Sequence, residues 1–185
     1  SGFFMIMEDQ VRVGDVAVVN GTGGTVEEIN FRTIVIRDIE GTVHVFPNGT
    51  VTQLANRSKG WARYVVDVSV SYKEDPDRVA NVLKRVGEEL SKDPLFGGFI
   101  LDPIQILGVD SFGANGYVIK SMIKTLPLKQ WDVGRELRKR IKNKFEIEGI
   151  DLSSPPTSIS VSQLPKATRL EVEVPGDASS NDTGK

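Results

Sequence analysis

With 185 residues, 39% apolar and 26% charged, the chain can hold one large or two small domains that bury a core without covalent staples. It has no cysteine, which excludes a disulfide framework and any thiolate metal site. A formal charge of −2, from 23 basic and 25 acidic residues, excludes a general polyanion binder, which needs a net basic face.

No run approaches the roughly 20 apolar residues of a membrane-spanning helix, and the first residues lack the basic and apolar regions of a secretory signal. The stretch Phe3-Phe4-Met5-Ile6-Met7 is apolar, yet as helix it would cover only about 7 to 8 Å of a bilayer core about 30 Å thick. Two readings are open for it: an N-terminal strand packed on the strands after it, or the cut end of a longer element.

Residues 8–58 organise the chain, with alternating runs at 16–19, 25–37 and 42–46 separated by clusters of Gly, Asn and Asp. This is the pattern of a strand meander and predicts a small β-barrel. Gly14, Gly41, Gly49 and the loop 20–24, which ends in Gly24, mark the reversals, and each is expected to supply positive φ. Pro47 has no N–H for a ladder, so the strand 42–46 ends there or lies at an edge, and Asn48 is expected to fix the next turn by local bonding.

The composition turns polar over residues 56–60, where a domain boundary is expected. Residues 63–72 alternate as a strand with one largely apolar face. Asp75-Pro76-Asp77 opens a helix: Asp75 as cap, Pro76 at the first helical position, acidic charge at the positive end of the dipole. Val79, Val82, Leu83, Val86 and Leu90 give it one buried stripe, and Pro94 lies beyond its end.

Strands at about 104–112 and 117–125 follow, then a helix over about 129–146 with Val133, Leu137, Ile141 and Phe145 on one face and Gly149 at its end. A last strand at about 158–161 completes the order βαββαβ, which predicts a ferredoxin-like sandwich of two helices on a four-stranded antiparallel sheet. The fold class is therefore α+β. Residues 168–174 alternate once more, and read either as a closing strand or as part of a disordered tail.

No catalytic, cofactor or metal constellation emerges. His44, the single histidine, sits on a strand with no second ligand in the sequence near it, and a metal site needs three or four. The glycines at 21–24 lack the Gly-Lys-Ser/Thr ending and the following helix of a phosphate loop. The basic cluster of Arg135, Arg138, Lys139, Arg140, Lys142 and Lys144 is bordered by acidic residues and shares its helix with the apolar stripe, so it reads as a solvated face. Trp131 is a stacking platform or a core residue at the helix start.

The pair Gly14-Asp15, the segment Phe31-Arg32-Thr33, and Pro47-Asn48-Gly49 followed by Asn56-Arg57-Ser58 resemble the β domain of the MscS-like small-conductance mechanosensitive channel family, and the resemblance extends over residues 2–161. It implies an end of a pore-lining helix at 1–7, an Sm-like β domain at 8–60, a ferredoxin-like α/β domain at 61–162 and a C-terminal strand or flexible tail at 163–185. The family commonly follows its last helix with an aromatic and proline-rich turn, and this chain departs from that at Ser153-Ser154-Pro155-Pro156-Thr157.

The resemblance further implies the cytosolic vestibule of a channel that opens under membrane tension. It would be no enzyme and carry no cofactor. Its copies would form a homo-oligomer, a heptamer in the family, on the cytoplasmic face of the cell membrane, joined to the lipid bilayer by helices upstream and passing ions but no nucleic acid. Gly14, Asp15, Gly24, Gly41, Pro47 and Gly49 would then set backbone geometry, and Arg32 and Asn48 the barrel shape or subunit docking. The competing expectation is a soluble nucleic-acid-binding protein, which joins an Sm- or OB-like barrel to an RNA-recognition-type sandwich.

Overall fold

A computed structural model describes residues 9–153. The first half is one antiparallel sheet of five strands: β1 Val16–Val19, β2 Thr22–Ile29, β3 Thr33–Arg37, β4 Val43–Pro47 and β5 Leu54–Asn56, in the spatial order β4-β3-β2-β1-β5. Its inward face closes over Val11, Ala17, Val19, Val26, Ile34, Ile36 and Val51. β4 and β5 are the two edges, and Pro47 is the last residue of the edge strand β4.

Two expectations for this sheet need correction. Residues 20–24 are not one loop: the reversal is Asn20-Gly21, with φ of +49° and +88°, and β2 begins at Thr22. Paired positive φ values match the right-handed twist of the strands that such a tight hairpin joins. Nor is 25–37 one run, because Asn30 breaks it. Asn30 Oδ1 accepts from Arg32 N at 3.1 Å, Thr33 N at 2.9 Å and Thr33 Oγ1 at 2.9 Å, so an asparagine side chain makes the turn without glycine. A register shift between Val26 and Glu28 adds a bulge to β2.

The second half runs β6 Ala62–Ser71, α1 Pro76–Ser91, β7 Ile100–Phe112, β8 Gly116–Thr125 and α2 Gln130–Glu148. The strands pair antiparallel in the order β6-β8-β7. Alternate residues of β6 (Val66, Val68, Val70) and β8 (Tyr117, Ile119, Ile123) share one core with Val79, Val82, Leu83, Val86 and Leu90 of α1 and Val133, Leu137, Ile141 and Phe145 of α2. Both helices therefore cover the same face of the sheet.

The helix ends follow from their residues. Asp75 caps α1 by accepting from Asp77 N at 3.1 Å, with Pro76 next. Gly149 ends α2 with φ +64°, which lets Ile150 N reach Phe145 O at 2.9 Å and buries Ile150. Two helix glycines mark where helix and sheet come closest. A β-carbon on Gly87 would collide with Ile104 Cγ2, and one on Gly134 would collide with the Tyr64 ring.

The expected strand at 158–161, the run at 168–174 and the segment 1–7 lie outside the described residues. The described chain stops beside β6: Leu152 bridges Val70, Ser71 N donates to Asp151 O at 3.0 Å, and Ser153 N donates to Ser69 O at 3.1 Å. No helix among the described residues is long and apolar enough to cross a membrane.

Candidate functional site

Four of the residues singled out in the sequence, Gly14, Asp15, Arg32 and Asn48, gather into two hydrogen-bonded clusters, one beside the middle of β2 and one just past its end. Beside the middle of β2, Gly14 takes φ +92° and donates to Val26 O at 2.8 Å, while Asp15 O accepts from Val26 N at 2.8 Å. The Asp15 carboxylate accepts from Arg12 N at 2.9 Å, Asn56 Nδ2 at 2.7 Å and Ser58 Oγ at 3.0 Å. Burial pushes the Asp15 carboxyl up, but the three donors outweigh it and hold it below the ordinary value of 3.8. Buried Ser58 Oγ accepts in turn from Val16 N at 3.0 Å, so one carboxylate and one hydroxyl tie β1 to the chain leaving β5.

At the far end of β2, Asn48 N donates to Arg32 O at 2.8 Å, and Asn48 Nδ2 donates to Asn30 O at 3.1 Å and Phe31 O at 3.0 Å. Asn48 is buried, and its Oδ1 has no partner among the described residues. In these contacts Arg32 takes part through its backbone, and its side chain is exposed.

The glycines divide by mechanism, and the expectation of positive φ at each is corrected. Gly14 and Gly41 have it. Gly24 does not; it is constrained by space, since a β-carbon there would lie 2.5 Å from Arg37 O. Gly49 has neither a positive φ nor a neighbour within 4 Å. Its position accepts any residue that the 3-10 turn Asn48–Thr50 tolerates.

His44 is not isolated, as its sequence neighbourhood suggested. The β3–β4 turn brings Asp38 to 2.8 Å from His44 Nε2, and Asp38 also accepts from Glu40 N and Thr42 N, each at 2.9 Å. Led by the His44 contact, these bonds hold the Asp38 carboxyl low. No group of three or more ligating side chains converges among the described residues.

The basic face of α2 is internally paired. Arg140 reaches Glu136 at 2.9 Å and Asp93 at 2.5 Å, Lys142 reaches Glu146 at 2.7 Å, Lys144 reaches Glu89 at 2.9 Å, and Arg135 pairs with Asp132. Arg138 lies over the Tyr64 ring at 5.3 Å. On the central strand β8, the residues between the core-facing positions are Val118, Lys120, Met122 and Lys124, without the aromatic pair that stacks bases on an RNA-binding sheet.

Where the two halves meet, a cleft of about 550 Å³ opens between the chain leaving β5, the start of β6 and the start of α2. Both tryptophans of the chain, Trp61 and Trp131, line it. Sequence reasoning weighed Trp131 alone and did not place it beside Trp61, because the two meet only through the tertiary fold.

Two family models match the chain: the mechanosensitive ion channel β-domain over residues 1–59 and the C-terminal part of the mechanosensitive ion channel MscS over residues 64–152. The small-conductance mechanosensitive channel of Caldanaerobacter subterraneus subsp. tengcongensis is 35% identical over 165 residues, covering 88% of this chain and 57% of that protein. The moderate conductance mechanosensitive channel YbiO of Escherichia coli is 28% identical over 177 residues, covering 96% of this chain and 24% of that protein. The chain thus spans little more than half of one of these relatives and a quarter of the other. Among solved structures, Helicobacter pylori MscS in its closed state superposes with a TM-score of 0.67 at 23% identity over 86% of this chain and 62% of that one. Arabidopsis thaliana MSL1 does so with a TM-score of 0.59 at 13% identity over 83% of this chain and 57% of that one.

Proposed function

The chain belongs to the MscS family of mechanosensitive ion channels, and from that premise we propose that it is the cytoplasmic vestibule of such a channel. The carrying observation is that one chain holds, in the family's order, both the five-stranded sheet and the helix-covered sheet that the two family models match. On this reading the first unit is an Sm-like β domain and the second a ferredoxin-like domain whose fourth strand adds beside β6, where Leu152 already bridges Val70. On this reading the role of both units is structural.

Copies of the chain assemble as a homo-oligomeric ring, seven by family resemblance, beneath a pore formed by helices encoded upstream. The edge strand β4 carries Val43 and Val45, 43% and 58% exposed, and an open edge of this kind pairs with another copy to satisfy its backbone groups. Tension favours the pore state that occupies more membrane area, and ions leave through the vestibule. Gly14, Asp15, Asn48 and Arg32 would keep the sheet in the shape the ring requires.

The test is electrical. The full reading frame that contains this chain, expressed in bacterial spheroplasts lacking their own mechanosensitive channels, should give pressure-activated currents in excised patches. Patches that carry the protein and stay silent up to membrane rupture would sink the proposal.

A further inference from the structure

The vestibule reading assigns no ligand to the cleft at the junction of the two halves. We propose that it binds a nucleotide-type anion, a phosphate or pyrophosphate carrying an aminated planar ring. Arg57, Lys59 and Arg63 line the cleft, and no carboxylate does. On α2 the cations are answered by carboxylates or a ring, whereas Arg57 makes no side-chain ion pair or hydrogen bond among the described residues. Lys59 Nζ spends one donor on Asp9 O at 2.7 Å and keeps two. Phosphate oxygens are the acceptors that suit such a cluster, since charge-assisted bonds are stronger than neutral ones.

The rest of the lining selects a ring. The Trp61 face is occupied by Arg63 at 4.9 Å and Lys124 at 5.0 Å, while Trp131 has no cation over it among the described residues and offers a surface for stacking. Gln130, 4% exposed, also lines the cleft, and its Oε1 lacks a partner among the described residues. A buried acceptor left unpaired is costly; Gln130 Oε1 is closed to solvent, so it meets an exocyclic amine, a donor that inorganic phosphate cannot supply, when the Gln130 side chain turns into the cleft. The volume of about 550 Å³ lies within the range of small-molecule sites.

Because both tryptophans border the cleft, the chain labelled with fluorotryptophan reports occupancy through two fluorine NMR resonances. ATP, adenosine, pyrophosphate and phosphatidylglycerol vesicles are titrated separately, with calorimetry alongside. ATP should saturate and shift the Trp131 resonance, and adenosine and pyrophosphate should each bind roughly tenfold or more weakly, as expected when one charge-assisted bond or one stacked ring is lost. Arg57→Ala combined with Lys59→Ala should weaken ATP by roughly tenfold or more at an unchanged melting temperature. Trp131→Ala should abolish the preference for ATP over pyrophosphate. If the double variant melts early, Arg57→Gln alone, with its fold checked by circular dichroism, gives the same reading. No saturation by millimolar ATP, pyrophosphate binding as tightly as ATP, a shift with vesicles only, or affinity unchanged in the arginine variants would each overturn the proposal.

Discussion

Asn48 offers one side-chain amide to two carbonyls, those of Asn30 and Phe31, and thereby closes the far end of the β2–β3 hairpin. Asn48→Ala leaves both carbonyls to exposed turn positions where water partly replaces the donor, so the expected loss is about 1–2 kcal/mol in urea denaturation. Asp15 sets a pH dependence of definite sign. Its folded carboxyl lies below 3.8, so its contribution is complete above that value and disappears as pH falls through the lower folded value. Asp15→Asn should therefore cost about 1–2 kcal/mol near neutrality, and the gap between it and the parent should narrow only below the ordinary carboxylate range. A gap that stays constant into acid would contradict this reading. Gly24 and Gly49 make a matched pair: Gly24→Ala drives a β-carbon toward Arg37 O and should cost about 1–3 kcal/mol, whereas Gly49→Ala should stay within about 0.5 kcal/mol. The Gly14-Asp15 pair was visible in the sequence, but its partners Asn56 and Ser58 lie 41 and 43 residues away, and a carboxylate gives no sign of which distant donors it will meet.

At the scale of elements, legibility followed local chemistry. α1 and α2 were readable because an apolar stripe agrees in each with one end signal, the Asp75 cap before α1 and the terminating Gly149 after α2. The hairpin inside residues 25–37 was not, because both of its strands alternate in the same way and its reversal rests on the Asn30 side chain instead of a glycine. β7 starts at Ile100, earlier than its alternation suggested, since four register irregularities against β8 scramble the period. Helix–sheet spacing was equally silent, for Gly87 and Gly134 look like weak points in a helix until the strands behind them are known. They predict losses of different size. In Gly134→Ala the obstacle is the Tyr64 ring, a half-buried side chain that yields more readily than a strand backbone, and alanine gains about 1 kcal/mol of helix propensity, so the net loss should be smaller than at Gly87. In Gly87→Ala the obstacle includes Ile104 Cβ at 2.6 Å, fixed to the β7 backbone, so thermal unfolding should show a net loss of about 1–3 kcal/mol despite the same gain.

For the whole molecule, the surface that decides the proposed assembly is the β4 edge, since a closed ring of identical chains would use it once at every junction if it met a different surface of the neighbour. Val45 alternates with the inward His44 and Phe46 and is 58% exposed, so it adds little to the fold of a single copy. Val45→Lys should then change stability by no more than about 0.5 kcal/mol. At an edge that joins copies, however, the same charge must be desolvated at every junction, and lysines on edge strands are how monomeric sheets avoid association. Sedimentation velocity over a range of concentrations should find the parent chain as a large closed species and Val45→Lys as smaller ones, with melting temperatures that agree at dilutions where both are dissociated and separate in the parent's favour as concentration rises. A Val45→Lys chain that sediments like the parent would move the ring contact away from β4. A parent chain that stays monomeric at every concentration would overturn the proposal that the β4 edge joins copies of this chain.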